Sequence, residues 1–267
     1  MCTKATWMMI MKEESEDDDS LNCYVIWNPS IRKSVVIDVP YNTGTVYVGF
    51  GFYPNSLDPK IVRILNYLCI QLHVIINGKF GLNFGELSRI PLVLNGFIFW
   101  CAEVGNSFEN NSTYTIVSFD LASEEFTKID VPDELACDNF YMFKLRDSLG
   151  VVQRKIMESK EVHKVWLMDH VSKSFIELED FTVTLPEKWK VVGFRDNEQL
   201  IIVKIDEQRS ELVAYEPYSK QFNNLGFYVD CSYVNSSYTE SLLLLNQPDT
   251  LNDYEGDAYV TGSELKI

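Results

Sequence analysis

An all-β fold of the propeller type is what this sequence predicts, and three observations carry the prediction. A hairpin pattern recurs along the chain: an aliphatic run reaching a large side chain, a polar turn, and a second marked position seven residues after the first. The copies follow one another at nearly equal steps of 46 to 49 residues. Between them lies a second series of turns, each opening a strand-like apolar run. A period in the high forties with four strands per period is that of a propeller blade, kelch-like at about fifty residues.

The clearest copy is IVSFDLASEEFTKIDVP, with Phe119, the acid Asp120, a Ser/Glu-rich turn and Phe126. Upstream, YVIWNPSIRKSVVIDVP places Trp27 and Asn28 in the same phase, with Ser34 where the second ring would stand. Downstream come VWLMDHVSKSFIEL, with Met168, Asp169 and Phe175, and LVAYEPYSKQFNNLGF, with Tyr215, Glu216 and Phe222. The weakest copy, IQLHVIINGKF with His73, Val74 and Phe80, is admitted by its phase. One hairpin cannot bury its own apolar face, so repetition is what gives each a partner. The repeated rings are therefore expected in the core between blades, where burying such a side chain contributes about 1.5–3 kcal/mol. Asn28, Asp120, Asp169 and Glu216 each begin a hairpin turn, where short polar side chains bond nearby backbone N–H groups. A ring of carboxylates for metal or acid–base work is the competing reading.

The second series completes the strand count. Asn95-Gly96 precedes FIFWC, Arg146-Asp147-Ser148 precedes LGVV, and Asp196-Asn197-Glu198 precedes QLIIVKI. Residues 45–53 and 60–67 pair across the turn between them, with Gly49 and Gly51 allowing close approach of neighbouring groups. Residues 227–233 and 238–245 read as one more strand pair. Five repeats are visible, with six blades if the two chain ends close a sixth. The expected organisation is a lead at 1–22 with one candidate strand and an acidic run, the propeller at 23–246, and an acidic, flexible tail at 247–267. Little or no helix is expected.

Net charge is −16, from 23 basic against 39 acidic residues, and no basic stripe appears. Nucleic acid and anionic membrane are therefore set aside as partners, whereas a basic protein patch fits. The run EESEDDD reads as a solvated loop. No window approaches the roughly eighteen apolar residues of a membrane span, and the opening residues do not form a signal peptide. A cytoplasmic or nuclear location is expected, with the six scattered cysteines reduced.

Catalysis finds little support. His73 lies in a core phase of the repeat, and His163 and His170 flank the VWLM strand on opposite faces. No HExxH or GxSxG occurs, and no cofactor or metal is expected. A propeller hydrolase would need acids or histidines converging in the central channel. Binding is expected instead in the irregular loops at 53–59, 103–113 and 230–239, whose candidates are Tyr53, Phe108, Asn110, Tyr233 and Tyr238.

In register, NPSIRKS, GFGFYPNSLDPKIVRI, VLNGFIFWC, IVSFDLASEEFTKIDVP, VWLM, LVAYEPYSKQF and ESLLLL follow the order of plant F-box-associated domains. The chain resembles these kelch-like, C-terminal parts of F-box proteins, the S-locus type included, from about residue 23 to 245. The resemblance implies a non-catalytic module that grips a protein substrate for a cullin-type ubiquitin ligase. In that family an N-terminal F-box docks on an Skp-type adaptor and a cullin. The 22 residues before the first hairpin show no F-box pattern, so recruitment of adaptor and cullin is expected only if an F-box is supplied. The alternative is a stand-alone decoy or scaffold.

Overall fold

Runs of Val, Ile, Phe and Tyr separated by short turns leave the backbone one way to satisfy its hydrogen bonds, which is antiparallel pairing of neighbours. The computed structural model describes residues 8–12, 23–28, 30–38, 45–52, 59–67, 71–74, 86–88, 90–105, 113–137, 140–157, 160–169, 171–206 and 209–229. Within them five antiparallel sheets follow one another along the chain. The first holds β1 (Met8–Lys12), β2 (Cys23–Asn28) and β3 (Lys33–Asp38); the second holds β4 (Thr45–Phe52), β5 (Pro59–Tyr67) and β6 (Gln71–Val74). The third is a four-stranded meander of β7 (Leu92–Leu94), β8 (Phe97–Val104), β9 (Thr113–Asp120) and β10 (Glu125–Ile129).

In the fourth sheet β11 (Phe140–Leu145), β12 (Ser148–Met157) and β13 (Lys160–Met168) carry a split outer strand, β14 (Phe175–Glu177) and β15 (Val183–Leu185). A 3-10 turn at Glu179–Phe181 separates its halves and tucks Phe181 into the core. The fifth sheet is β16 (Trp189–Phe194), β17 (Leu200–Lys204), β18 (Ser210–Glu216) and β19 (Gln221–Val229). The described helix is a single turn, α1 (Asp133–Ala136), between the third and fourth sheets. This is the all-β propeller architecture expected, with open sheets.

The sheets stack face to face. Tyr47, Val62 and Ile64 of the second pack against Ile98, Trp100, Val117 and Phe119 of the third. Phe99, Cys101 and Ile116, on the other face of the third, meet Phe140, Val151, Trp166 and Met168 of the fourth. Leu145, Val152 and Val165 then meet Val191, Ile202 and Tyr215 of the fifth. Ile26 joins the first sheet to Phe50 of the second. Strands buried on both faces need no polar alternation, which is why β8 opens on the continuous apolar run Phe97–Ala102.

Two expectations are corrected. Residues 227–229 do not start a new strand; they continue β19 past a bulge at which Gly226 takes φ +72°. His163 does not flank its strand but sits within β13, 2% exposed. His170, Phe80, the candidate strand at 238–245 and the tail at 247–267 lie outside the described residues.

Sheet spacing rests on Gly49. A Cβ there would stand 2.7 Å from Ile98 Cγ2 and 2.7 Å from Trp100 Cζ2, both in the core of the next sheet. Gly49→Val is expected to lower stability by about 1–3 kcal/mol through overpacking, read as a lower urea midpoint with the slope unchanged. A second consequence follows from His163, which shares a face of β13 with Glu161 and Val165. Its Nε2 lies 3.6 Å from Glu161 Oε2, and Arg154 Nε lies 3.5 Å from the same oxygen. Neither imidazole nitrogen has a hydrogen-bond partner. Burial, and then the Arg154 charge, push the imidazole down from 6.5 to about 4. The unfolded chain takes up the proton first, so stability holds above pH 6.5 and falls as pH drops toward 4. The loss over that window is about 3 kcal/mol. Thermal melts from pH 7 to pH 4 should show it, and His163→Leu should flatten the curve.

Candidate protein-binding surface

The repeated hairpins β2–β3, β9–β10, β13–β14 and β18–β19 close on one turn design. Trp27 sits opposite Ser34, Phe119 opposite Phe126, Met168 opposite Phe175 and Tyr215 opposite Phe222. The seven-residue spacing is thus a direct cross-strand pair, with ring centroids 4.7 Å apart for Phe119–Phe126 and 4.8 Å for Tyr215–Phe222. Phe119, Met168 and Tyr215 are buried, while Trp27, Phe126 and Phe175 are half-buried and Phe222 is exposed. His73 stands in β6 opposite Leu65.

Each turn ends on a residue with left-handed backbone: Arg32, Glu124, Lys173 and Lys220, at φ 51° to 59°. Three of these donate their N–H back across the turn, Glu124 to Asp120 O, Lys173 to Asp169 O and Lys220 to Glu216 O. The polar side chains that begin the turns are engaged inside them. Asn28 Oδ1 accepts from Ser30 N–H at 3.0 Å, Asp120 Oδ1 from Ala122 N–H at 2.7 Å, and Asp169 Oδ1 from Ser172 N–H at 2.7 Å. Glu216 differs: its Oε2 accepts from the Gln199 amide at 3.0 Å. Among the described residues no three His, Cys, Asp or Glu side chains converge as a metal site.

The other described turns at this end carry the same backbone signature at Asn95, Arg146 and Glu198. From them side chains reach across to adjacent sheets. The Lys60 ammonium donates to Leu121 O and Glu124, Asn95 Nδ2 donates to Asp147 O at 2.9 Å, and Arg146 holds Glu198 at 2.6 Å. The hydrogen bond from Arg146 keeps the Glu198 carboxyl below its usual range. Lys173 lies over the Phe97 ring at 5.4 Å. Each of these links spans two sheets, so this end is stitched together.

The strand ends that flank the expected loops do not share one side of the stack: Phe52, paired with Pro59, lies toward the stitched end, where a Cβ at Gly51 would meet Leu121 and Val93. Val104, paired with Thr113, and Val229, paired with Ser210, lie toward the opposite end. Tyr53, Phe108, Asn110, Tyr233 and Tyr238 all lie outside the described residues.

A third surface, not anticipated from sequence, is the outer rim of the fifth sheet. There Tyr218 is 64% exposed, Phe222 44%, Phe227 39% and Tyr228 50%. Arg209 stacks over the Tyr228 ring at 4.4 Å, and Phe222 meets Trp189 edge-on at 5.6 Å. The signal was present in QFNNLGFYV, which carries no charge. Reading Phe227 as the start of another strand hid it.

Comparison with known proteins agrees with this architecture. A family model described as an F-box associated beta propeller domain matches residues 79–237. An Arabidopsis thaliana protein named F-box protein At5g18160 is 26% identical over 200 residues, which is 72% of this chain and 51% of that protein. A second from the same plant, Putative F-box protein At5g50220, is 23% identical over 202 residues, 67% of this chain and 51% of that protein. The chain spans about half the length of these curated relatives. With a match over more than half its residues and stacked antiparallel sheets beneath it, the chain belongs to the F-box associated beta propeller domain family.

Proposed function

We propose that this chain is the substrate-recognition module of an SCF-type, cullin-based ubiquitin ligase, a non-catalytic propeller that grips the protein to be ubiquitinated. The observation that carries the reading is the family match, joined to relatives that are themselves named F-box proteins. In this reading residues 23–246 hold the substrate, and an F-box brings the Skp-type adaptor and cullin. The net charge of −16 supports a protein partner over nucleic acid. No helix among the described residues is long and apolar enough to cross a membrane, and a site of action in the cytoplasm or nucleus fits the ligase. The stand-alone decoy or scaffold differs only in whether ubiquitin is delivered.

The test is affinity purification from plant extract, with and without an F-box fused ahead of the chain. With the fusion, adaptor and cullin are expected by mass spectrometry. A prey shared by both forms should accumulate when the proteasome is inhibited in plants expressing the fusion. A shared prey whose level never responds would support the decoy, and the absence of any shared prey would end the recognition reading.

A further inference from the structure

The innermost strands of the sheets keep a step of their own. β4 begins at Thr45, β7 at Leu92, β11 at Phe140 and β16 at Trp189, at steps of 47, 48 and 49 residues. β4 meets β7, β7 meets β11 and β11 meets β16, so these strands share the inner side of the stack. The next step falls at about residue 238, where the sequence reads YTESLLLL. The first sheet starts one position further out. Met8 of β1 stands opposite Trp27 as Ile98 of β8 stands opposite Phe119 and Leu200 of β17 opposite Tyr215. β1 is thus the second strand of its sheet, and among the described residues no strand holds the inner place beside it. The two faces that end the stack are covered as well. Leu200, Ile202 and Tyr215 face the fourth sheet, so Val203 and Ala214 point the other way, yet they are only 5% and 1% exposed. In the first sheet Ile26 faces Phe50 of the second, and Trp27, pointing away, is half-buried.

We infer that residues 238–245, which lie outside the described residues, dock along β1 as the inner strand of the first sheet and close the five sheets into a ring of five blades. The far face of the fifth sheet, with Val203 and Ala214, then packs toward Trp27 of the first. Direction agrees with this assignment. Val229 of β19 lies at the end opposite the stitched one, where β11 and β16 also begin. β1 runs toward that same end, from Met8 beside Trp27 to Lys12 beside Cys23, so a strand entering there runs antiparallel to it. Reach agrees as well: eight residues separate Val229 from residue 238, and six suffice between β3 and β4. An inner strand is covered on both faces, so four successive leucines need no alternation. A segment tethered this closely outcompetes a second copy or a separate chain for the edge of β1. Both ends of the propeller then share one sheet, and a sixth blade is not formed.

This goes beyond the substrate-recognition reading and does not rest on it. The test is nuclear magnetic resonance of the unaltered whole chain, in which cross-strand amide contacts are expected between Met8–Lys12 and residues 238–245. No such contact is expected between differently labelled copies in a mixture. In the same chain, Leu242→Pro with Leu244→Pro should speed amide exchange at Met8–Lys12 by about tenfold or more, as a ladder partner is lost. Exchange at Ile98–Cys101 in the third sheet should stay as it was, and Asp253→Pro should change neither. The contacts in the unaltered chain stand as a result whether or not the double variant folds. Contacts of residues 238–245 with β19 instead of β1, another segment paired along β1, contacts only between copies, or no contacts would overturn the inference. So would unchanged exchange at Met8–Lys12 in a folded double variant.

Discussion

Burial on both faces of each interior sheet is the constraint on which this molecule depends. In β8, Ile98 points to the second sheet and the adjacent Phe99 to the fourth. Neither residue has an apolar environment unless both neighbouring sheets are present. A sheet removed from the stack would uncover two hydrophobic faces, and each large side chain so exposed forfeits about 1.5–3 kcal/mol. Stability is therefore a sum over sheet-to-sheet interfaces, as in other repeat proteins. Gly49 shows how closely that spacing is set, because its missing side chain is what admits Ile98 and Trp100.

The stitched end is a different kind of device. A left-handed backbone costs a residue with a Cβ about 1 kcal/mol, and glycine would avoid the cost. Yet Arg32, Glu124, Arg146, Lys173, Glu198 and Lys220 hold these positions. Arg146 and Glu198 are both left-handed and bonded to each other across two sheets. An exposed ion pair contributes about 0–1 kcal/mol, which at best offsets the backbone cost. The net stabilisation is small, so the side chains do something else: they define which turn lies beside which, and with that the rotation of one sheet against the next.

Much of this was legible in the sequence because the hairpin is local. Phe119 and Phe126 fall in one short window, their turn carries its own hydrogen-bonding acid, and the step to the next copy reveals the stack. The links between sheets were not legible. Lys60 bonds Glu124 across 64 residues, and nothing near either residue announces the other. The rim of the fifth sheet was missed for a physical reason: Gly226 looks like a strand end, but its left-handed backbone absorbs a bulge and lets β19 continue. His163 was misplaced because the buried face of β13 carries Glu161 and His163 there, so its alternation in burial is not matched by one in hydrophobicity.

The division of labour among these surfaces limits where recognition can evolve. Inward faces are committed to packing, and Asp120 and Asp169 are committed to the backbone of their own turns. The stitched end spends its long side chains on neighbouring sheets. Among the described residues, what this leaves free is the outer rim of the sheets. Within that freedom β19 is the longest of the described outer strands and carries no charged residue, whereas β3 and β10 carry Lys33 and Lys128. An acidic protein gains solubility and self-repulsion from its surplus charge. The bulge at Gly226 guards the β19 edge in place of charge, bending the strand where a further one would pair.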